Sequence, residues 1–250
     1  MLTENEISRL RKAIIATIAS PVIGSIEDYA WEAIFHYVKD ISLSDPALGR
    51  SKLLYDAVDM ATQTGWSLKS LQLNNINSGS TFFFVIQRAD VIKKAVQLGF
   101  PDLTERSSPQ ELGAAIIKHW NDKIITSKSA QNVTNSYEGI LLKTIKGTIY
   151  AYCEYLLEPL DPNDFSWAWT VDRITGKDGA GLQGSIGGKA ELVWYKNQKQ
   201  LFRARVIPLD VVIINIERVR LEQDRYVETM IAALREQYNN TPNDNLELDT

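Results

Sequence analysis

The sequence predicts an α/β protein with a mixed central β-sheet flanked by helices and a β-rich C-terminal half. Three observations lead to this fold class. Apolar residues recur at helical spacing through the first 40 positions. A hairpin pattern and a buried apolar run follow between residues 52 and 87, with further helical patterns after them. Segments rich in β-branched and aromatic residues then occupy 139–157 and 165–216.

The N-terminal region predicts two amphipathic helices. The first spans residues 3–19, where Thr3 and Glu6 have the spacing of a capping box. The second spans about 25–40, and its apolar residues again recur every three or four positions. Both helices therefore have one face suited to packing on a sheet.

Three strands are predicted next. Lys52–Met60 and Trp66–Leu73 are separated by the short link Ala61–Gly65, which favours an antiparallel hairpin. Thr81–Gln87 is a continuous apolar run bounded by turn residues, which is typical of a central strand buried on both faces.

The remaining elements follow from the same rules. Ser108, Pro109 and Glu111 form a strong helix start, and the β-branched and aromatic residues of 139–157 favour strand over helix. In chain order we expect a helix over 89–98, a helix over 108–125, a loop over 126–136, strands within 139–157 and 165–216, and a helix over 217–237.

Composition excludes several classes of site. The chain has 250 residues, 44% of them hydrophobic and 23% charged, with a net charge of −4. One cysteine rules out an internal disulfide and a cysteine-based zinc cluster, and two histidines make histidine-rich metal sites improbable. A metal site would have to use carboxylates, which favour Mg²⁺ or Mn²⁺. The negative charge argues against non-specific coating of nucleic acid.

The hairpin contains an acid and a lysine within apolar flanks. If Val58 faces Ser67, then Asp56 lies opposite Lys69. The spacing alone favours a structural hairpin with a salt bridge, but an aspartate inside the apolar run LLYDAV is costly to bury without a partner or a metal. A metal-binding carboxylate beside a lysine that orients water is suited to phosphodiester hydrolysis. Asp59, at the strand end, is the alternative aspartate.

The segments YDAVD and GWSLKSLQ resemble the catalytic hairpin of type II restriction endonucleases of the PD-(D/E)XK superfamily, in the variant with S-x-K in the second half of the motif. The resemblance covers about 22 residues closely. It implies a restriction-endonuclease-like fold and Mg²⁺ as cofactor. By this resemblance Asp56 is the metal-binding aspartate and Lys69 the catalytic lysine. Ser67 joins them at the position where a second acid usually stands.

A serine is a poor metal ligand, so a second carboxylate should come from outside the hairpin. Glu32 is our candidate, because Asp28, Glu32 and His36 share the polar stripe of the helix before the hairpin. Glu27, Asp28 and Asp90 are the other candidates.

A glycine-rich segment, Arg173–Lys189, is expected to be a loop. Its long polar residues are Arg173, Lys177, Gln183 and Lys189. Glycines allow close backbone approach, so these four residues suit a loop that contacts DNA. A plain hairpin connection is the alternative interpretation.

The sequence-based hypothesis is a sequence-specific, Mg²⁺-dependent endonuclease that cuts double-stranded DNA and acts as a homodimer in a prokaryotic cytoplasm, without membrane association. The expected layout is a single nuclease domain over 1–238 and a disordered tail over 239–250. Within the domain, 1–130 forms the helical start and catalytic core, and 131–238 forms the recognition half and C-terminal helix. The alternatives are a structure-specific repair or defence nuclease and a non-catalytic interaction protein.

Overall fold

The computed structural model describes residues 2–42, 53–171, 176, 178–217 and 220–239. This part of the chain contains α1 (Glu4–Ala19), α2 (Asp28–Lys39), α3 (Pro109–Ala130) and α4 (Gln223–Asn239). Its strands are β1 (Ala57–Asp59), β2 (Thr64–Leu73), β3 (Thr81–Arg88), β4 (Asn135–Thr144), β5 (Ile149–Leu156), β6 (Ser166–Val171), β7 (Asp178–Ile186), β8 (Lys189–Tyr195), β9 (Gln200–Val206) and β10 (Ile213–Asn215). Among these described helices, none combines the length and the apolar character needed to cross a membrane.

Sheet A has the strand order β1-β2-β4-β5-β10 and is mixed. β2 and β4 run parallel, whereas the other neighbouring pairs run antiparallel. A parallel pair needs a long crossover, which here runs through β3 and α3. The predicted mixed α/β class is therefore confirmed at this level.

Sheet B has the order β3-β9-β8-β7-β6 and is antiparallel throughout. Gly187 and Gly188 join β7 to β8 with positive φ at both positions. Positive φ at both positions is typical of the two-residue hairpin turns whose twist matches that of the strands. Glycine adopts it readily because it has no Cβ.

Each face of sheet A packs against a different layer. Trp66, Leu68 and Leu141 belong to the apolar cluster formed with α1 and α2. Ile140 and Leu142 point the other way, into a larger cluster that includes α3 and the inner face of sheet B. α1 and α2 thus cover one face of sheet A, and α3 together with sheet B covers the other.

The two N-terminal helices are confirmed. In α1, Thr3 Oγ1 accepts the Glu6 N–H at 3.3 Å and the Glu6 carboxylate accepts the Thr3 N–H at 2.7 Å. This is the predicted capping box, and it satisfies amide groups that the first helical turn leaves without a partner. The strand prediction for 139–157 is also confirmed, by β4 and β5.

The prediction that residues 81–87 form a central strand was wrong. Within the described residues β3 is an edge strand of sheet B, paired with β9. Phe82 and Phe84 face the core, whereas Phe83 is 45% exposed. An apolar run does not reveal which face is covered, because that depends on the layers that pack against it.

The helix predicted over 89–98 is instead a series of turns. Hydrogen bonds of three- and four-residue spacing alternate, such as Ala95 N–H to the Ile92 carbonyl at 3.2 Å and Leu98 N–H to the Lys94 carbonyl at 3.0 Å. Helix initiation is unfavourable in so short a segment, so the burial of Ala95 and Leu98 determines its path.

Several boundaries also differ from the predictions. α3 continues to Ala130 and β4 begins at Asn135, so most of the loop predicted over 126–136 is regular structure. The predicted strand over 52–60 is regular only over Ala57–Asp59, and the last helix begins at Gln223 instead of 217. Lys52 and the tail residues 240–250 lie outside the described residues.

Candidate active site

The register of the β1–β2 hairpin differs from the sequence prediction by two residues. Val58 pairs with Gly65, not with Ser67. Extending this register places Asp56 opposite Ser67 instead of opposite Lys69. Because side chains alternate between faces, a shift of two residues leaves each on its predicted face. Asp56, Ser67 and Lys69 therefore share one face of sheet A.

The hairpin turn uses Asp59. Its carboxylate accepts hydrogen bonds from the Ala61 N–H at 2.9 Å and from Thr62 Oγ1 at 2.6 Å. The Thr62 hydrogen bond, followed by the Ala61 N–H, lowers the pKa of Asp59. Asp59 thus has a structural use in the turn, which separates its role from that of Asp56.

Asp56 and Lys69 both bind the backbone of Leu68. Asp56 Oδ2 accepts the Leu68 N–H at 2.7 Å, and Lys69 Nζ donates to the Leu68 carbonyl at 2.9 Å. Both side chains are half-buried. A carboxylate and an ammonium group are consequently held on the N–H and the carbonyl of the same residue.

The polar stripe of α2 contacts the backbone of the hairpin. Asp28 Oδ1 accepts the Ser70 N–H at 3.2 Å, and His36 Nε2 lies 3.2 Å from the Asp56 carbonyl oxygen. Glu32 is one helical turn from each of them and is half-buried. The predicted alignment of these three α2 side chains is confirmed, and it places Glu32 between the Ser70 and Asp56 contacts.

A second buried carboxylate lies beside Ser67. Glu138 of β4 is the parallel-register neighbour of Ser67 and is only 2% exposed. Its Oε2 accepts a hydrogen bond from Arg205 Nε at 2.7 Å and forms an ion pair with Arg205 Nη2 at 2.6 Å, while Arg203 Nη1 is 3.6 Å from Oε1. Burial lowers the pKa of Arg203 to about 10, and Glu138 partly opposes this. The three residues join sheet A to sheet B.

Helix α3 fixes the chain that leads into Asp56. Ser127 Oγ accepts the Leu54 N–H at 3.1 Å. The side-chain amide of Gln131 bonds both the N–H and the carbonyl of Tyr55, at 3.2 and 2.9 Å. These bonds attach the backbone immediately before Asp56 to the end of α3 and restrict where its carboxylate can lie.

Lys123 adds a cation from α3 to this region. It lies one turn before Ser127 and is half-buried. Burial is the main cause that lowers the pKa of Lys123, and Lys94 lowers it further, whereas Asp56 raises it. The Asp56 carboxylate is thus near enough to the Lys123 ammonium to favour its charged form.

Sequence reasoning missed Glu138 and Lys123. An acid inside the apolar strand SYEGILLK is the same signal that singled out Asp56, so Glu138 could have been found. That Glu138 lies beside Ser67 could not have been found, because the parallel pairing of β2 and β4 is a tertiary feature. No local pattern distinguishes Lys123 from the other lysines of α3.

The predicted glycine-rich loop was wrong for residues 178–186, which form β7. Gln183 is half-buried in this strand and donates to Ser185 Oγ at 3.1 Å. Lys189 is the exposed first residue of β8. Arg173 and Lys177 lie outside the described residues.

The strand glycines make room for a tryptophan. A Cβ added at Gly184 would lie 2.8 Å from the ring of Trp167, and one at Gly113 of α3 would lie 2.3 Å from it. The buried Trp167 ring thus packs directly on backbone of both α3 and β7. Close packing accounts for these two glycines without a ligand.

Two of the other carboxylates considered for the metal have partners elsewhere. Glu27 forms an ion pair with Lys143 at 3.3 Å, and Asp90 forms one with Lys199 at 2.6 Å. Asp90 therefore belongs to the end of sheet B, away from the hairpin.

The donor set suits Mg²⁺ bound largely through water and substrate. In the described part of the chain, no group of three or more acidic, histidine or cysteine side chains is arranged to hold a metal. Mg²⁺ is commonly bound through one or two carboxylates together with waters and substrate phosphates. Asp56 is the carboxylate of the hairpin core that such binding would use, and its Oδ2 accepts the Leu68 N–H at 2.7 Å.

Comparisons of the chain with protein-family models, with curated proteins and with solved structures find no match.

Proposed function

We propose that this protein is an Mg²⁺-dependent endonuclease that hydrolyses double-stranded DNA at specific sequences, as type II restriction enzymes of the PD-(D/E)XK superfamily do. The observation that supports this most directly is the placement of Asp56 and Lys69 on the N–H and the carbonyl of Leu68.

The layout of the fold also supports the proposal. A helix precedes the hairpin, a helix and a parallel strand follow it, and an antiparallel sheet makes up much of the second half. This agrees with a restriction-endonuclease-like core carrying a β-rich recognition half.

In the proposed mechanism Asp56 holds the metal, with Glu32 on the adjacent stripe of α2 as the second carboxylate. Mg²⁺ held there would supply Lewis-acid polarisation of the scissile phosphate and offset of its developing charge. Lys69 orients the attacking water through its ammonium group. Ser67, next to Asp56 and buried, is a hydrogen-bonding residue of the site.

The recognition half is assigned to sheet B and its loops. Arg173, Lys177, Gln183 and Lys189 are the proposed DNA-contacting residues. A homodimer would present two such surfaces related by a two-fold axis, which matches a palindromic site.

The test is cleavage of plasmid and phage DNA by the purified chain with Mg²⁺. Discrete fragments are expected from the wild type. Lys69→Ala should lower the rate about 10²- to 10⁴-fold, the usual contribution of a group that positions or transfers a proton. Asp56→Asn should lower it at least about 10³-fold, while keeping an oxygen that can accept the Leu68 N–H.

Asp59→Asn is the matched control, because Asp59 serves the turn of the same hairpin. It should cleave within a few-fold of wild type. Full activity of Asp56→Asn or Lys69→Ala would overturn the site assignment. A smear or structure-dependent products would indicate a repair or defence nuclease. No cleavage with any divalent metal would favour a non-catalytic interaction protein.

A further inference from the structure

A cluster of basic side chains lies between α3 and the turns that follow β3. Lys94 comes from the turns, and His119 and Lys123 lie one turn apart on α3. Lys94 Nζ is 3.0 Å from His119 Nε2. An ammonium group can only donate, so Nε2 accepts and the ring proton is on Nδ1. We call Lys94, His119 and Lys123 the basic cluster.

The basic cluster holds like charges in a partly buried place. Burial first, and Lys94 second, lower the pKa of His119, and the same two causes lower the pKa of Lys123. His119 is 8% exposed, and its Nδ1 is buried without a hydrogen-bond acceptor in the part of the chain that the structure describes. Asp56 raises the pKa of Lys123 and Asp122 raises that of His119, and a phosphate in contact with the two ammonium groups would offset the repulsion further.

The basic cluster and the hairpin are attached to the same stripe of α3. His119, Lys123 and Ser127 follow each other at intervals of four residues, and Ser127 binds the backbone two residues before Asp56. One to two helical turns correspond to about 5 to 11 Å. Successive phosphates of one DNA strand advance by about 3.4 Å along the axis. A strand with its scissile phosphate at Asp56 would bring a nearby phosphate within reach of the cluster.

We propose that the basic cluster binds a backbone phosphate of the DNA close to the phosphate that is cut. Lys94 and Lys123 contact the phosphate oxygens through their ammonium groups, and neutral His119 holds Lys94 toward it. The assignment rests on the proposed nuclease function for the location of the scissile phosphate. It adds a phosphate site that the hairpin motif does not contain.

The test is equilibrium binding of the full chain to a labelled mixed-sequence DNA duplex, without divalent metal, over a range of salt concentrations. The double variant Lys94→Ala/Lys123→Ala should bind about tenfold more weakly at low salt. The slope of log affinity against log salt should become shallower by about one, which is the loss of one phosphate contact. Lys94→Arg/Lys123→Arg keeps both charges and should retain the wild-type slope.

The matched control is Lys93→Ala/Lys118→Ala, which removes the same charge from the same turn segment and the same helix. Lys93 is exposed, and Lys118 forms an ion pair with Asp122. This variant should keep the wild-type slope. Equal losses in the two double alanine variants, or a wild-type chain that does not bind the duplex, would overturn the proposal. Thermal unfolding of each variant checks folding, and Lys94→Gln/Lys123→Gln replaces the alanine pair if that pair unfolds.

Cleavage with Mg²⁺ separates this inference from the nuclease proposal. If the wild-type protein binds DNA through the basic cluster but does not cleave it, the phosphate-site proposal stands and the endonuclease proposal is refuted. A wild type that cuts DNA, with an unchanged salt slope in Lys94→Ala/Lys123→Ala, refutes the phosphate site alone.

Discussion

Glu138→Gln tests the buried ion network that joins the two sheets. The carboxylate is 2% exposed, accepts a hydrogen bond from Arg205 Nε at 2.7 Å, and forms ion pairs with Arg205 at 2.6 Å and with Arg203 at 3.6 Å. Glutamine keeps the size of the side chain and one acceptor oxygen, but removes the charge that both guanidinium groups contact. The change therefore isolates the electrostatic part of the network.

The expected loss of unfolding free energy is about 3 to 5 kcal/mol, the range for removing one member of a buried ion pair. The lower end applies here, because the Arg205 side chain is 15% exposed and can turn toward water. Most of the loss in unfolding free energy would arise because the charges of Arg203 and Arg205 remain where little solvent reaches them. Replacing the whole network by Glu138→Leu/Arg203→Met/Arg205→Met should regain much of it, because no charge then remains buried.

The assay is urea unfolding followed by fluorescence and by circular dichroism. With an m value near 3 kcal/mol/M, a loss of about 3 kcal/mol moves the midpoint by about 1 M. Asp122→Asn is the control, because it breaks the exposed ion pair with Lys118 and should change stability by about 0.5 kcal/mol or less. The reasoning fails if Glu138→Gln loses no more stability than Asp122→Asn.

Two further predictions follow from packing and burial. Gly113→Ala should lower the free energy of unfolding by about 1 to 3 kcal/mol, because the new Cβ would meet the Trp167 ring at 2.3 Å. In an ordinary helix the same change raises stability by about 1 kcal/mol. Such a rise, measured by urea unfolding, would contradict the packing. Cys153 should react very slowly with a thiol reagent near pH 8, because burial raises its pKa to about 11 and leaves about one thiolate in a thousand. Rapid reaction is expected only in denaturant, so rapid labelling of the native chain would show that the thiol is accessible.

The hairpin shows how far sequence reasoning reached. The alternation of side chains placed Asp56, Ser67 and Lys69 on one face, and that result survives the two-residue correction of the register. The register itself was wrong because it depends on the turn around Asp59, where side-chain hydrogen bonds set the loop. A hydrophobic pattern carries no information about such a turn.

In the glycine-rich segment, the composition led to a wrong prediction of local structure. Its composition predicted a loop, but Gly184 lies in a strand beneath Trp167. A glycine is compatible with a turn or with close packing, and only the position of the neighbouring ring decides between them.

By itself, the sequence determined the local elements and the single motif. Capping residues and apolar spacing set α1 and α2, and an acid in an apolar strand marked Asp56, because these effects act between residues close in the chain. The tertiary structure alone decided that β4 lies parallel to β2, which brings Glu138 beside Ser67, and that α3 packs in the apolar cluster shared by both sheets, which brings Lys123 toward Asp56. Contacts between segments far apart in sequence depend on how whole layers bury their apolar faces, and no short window of residues encodes that choice.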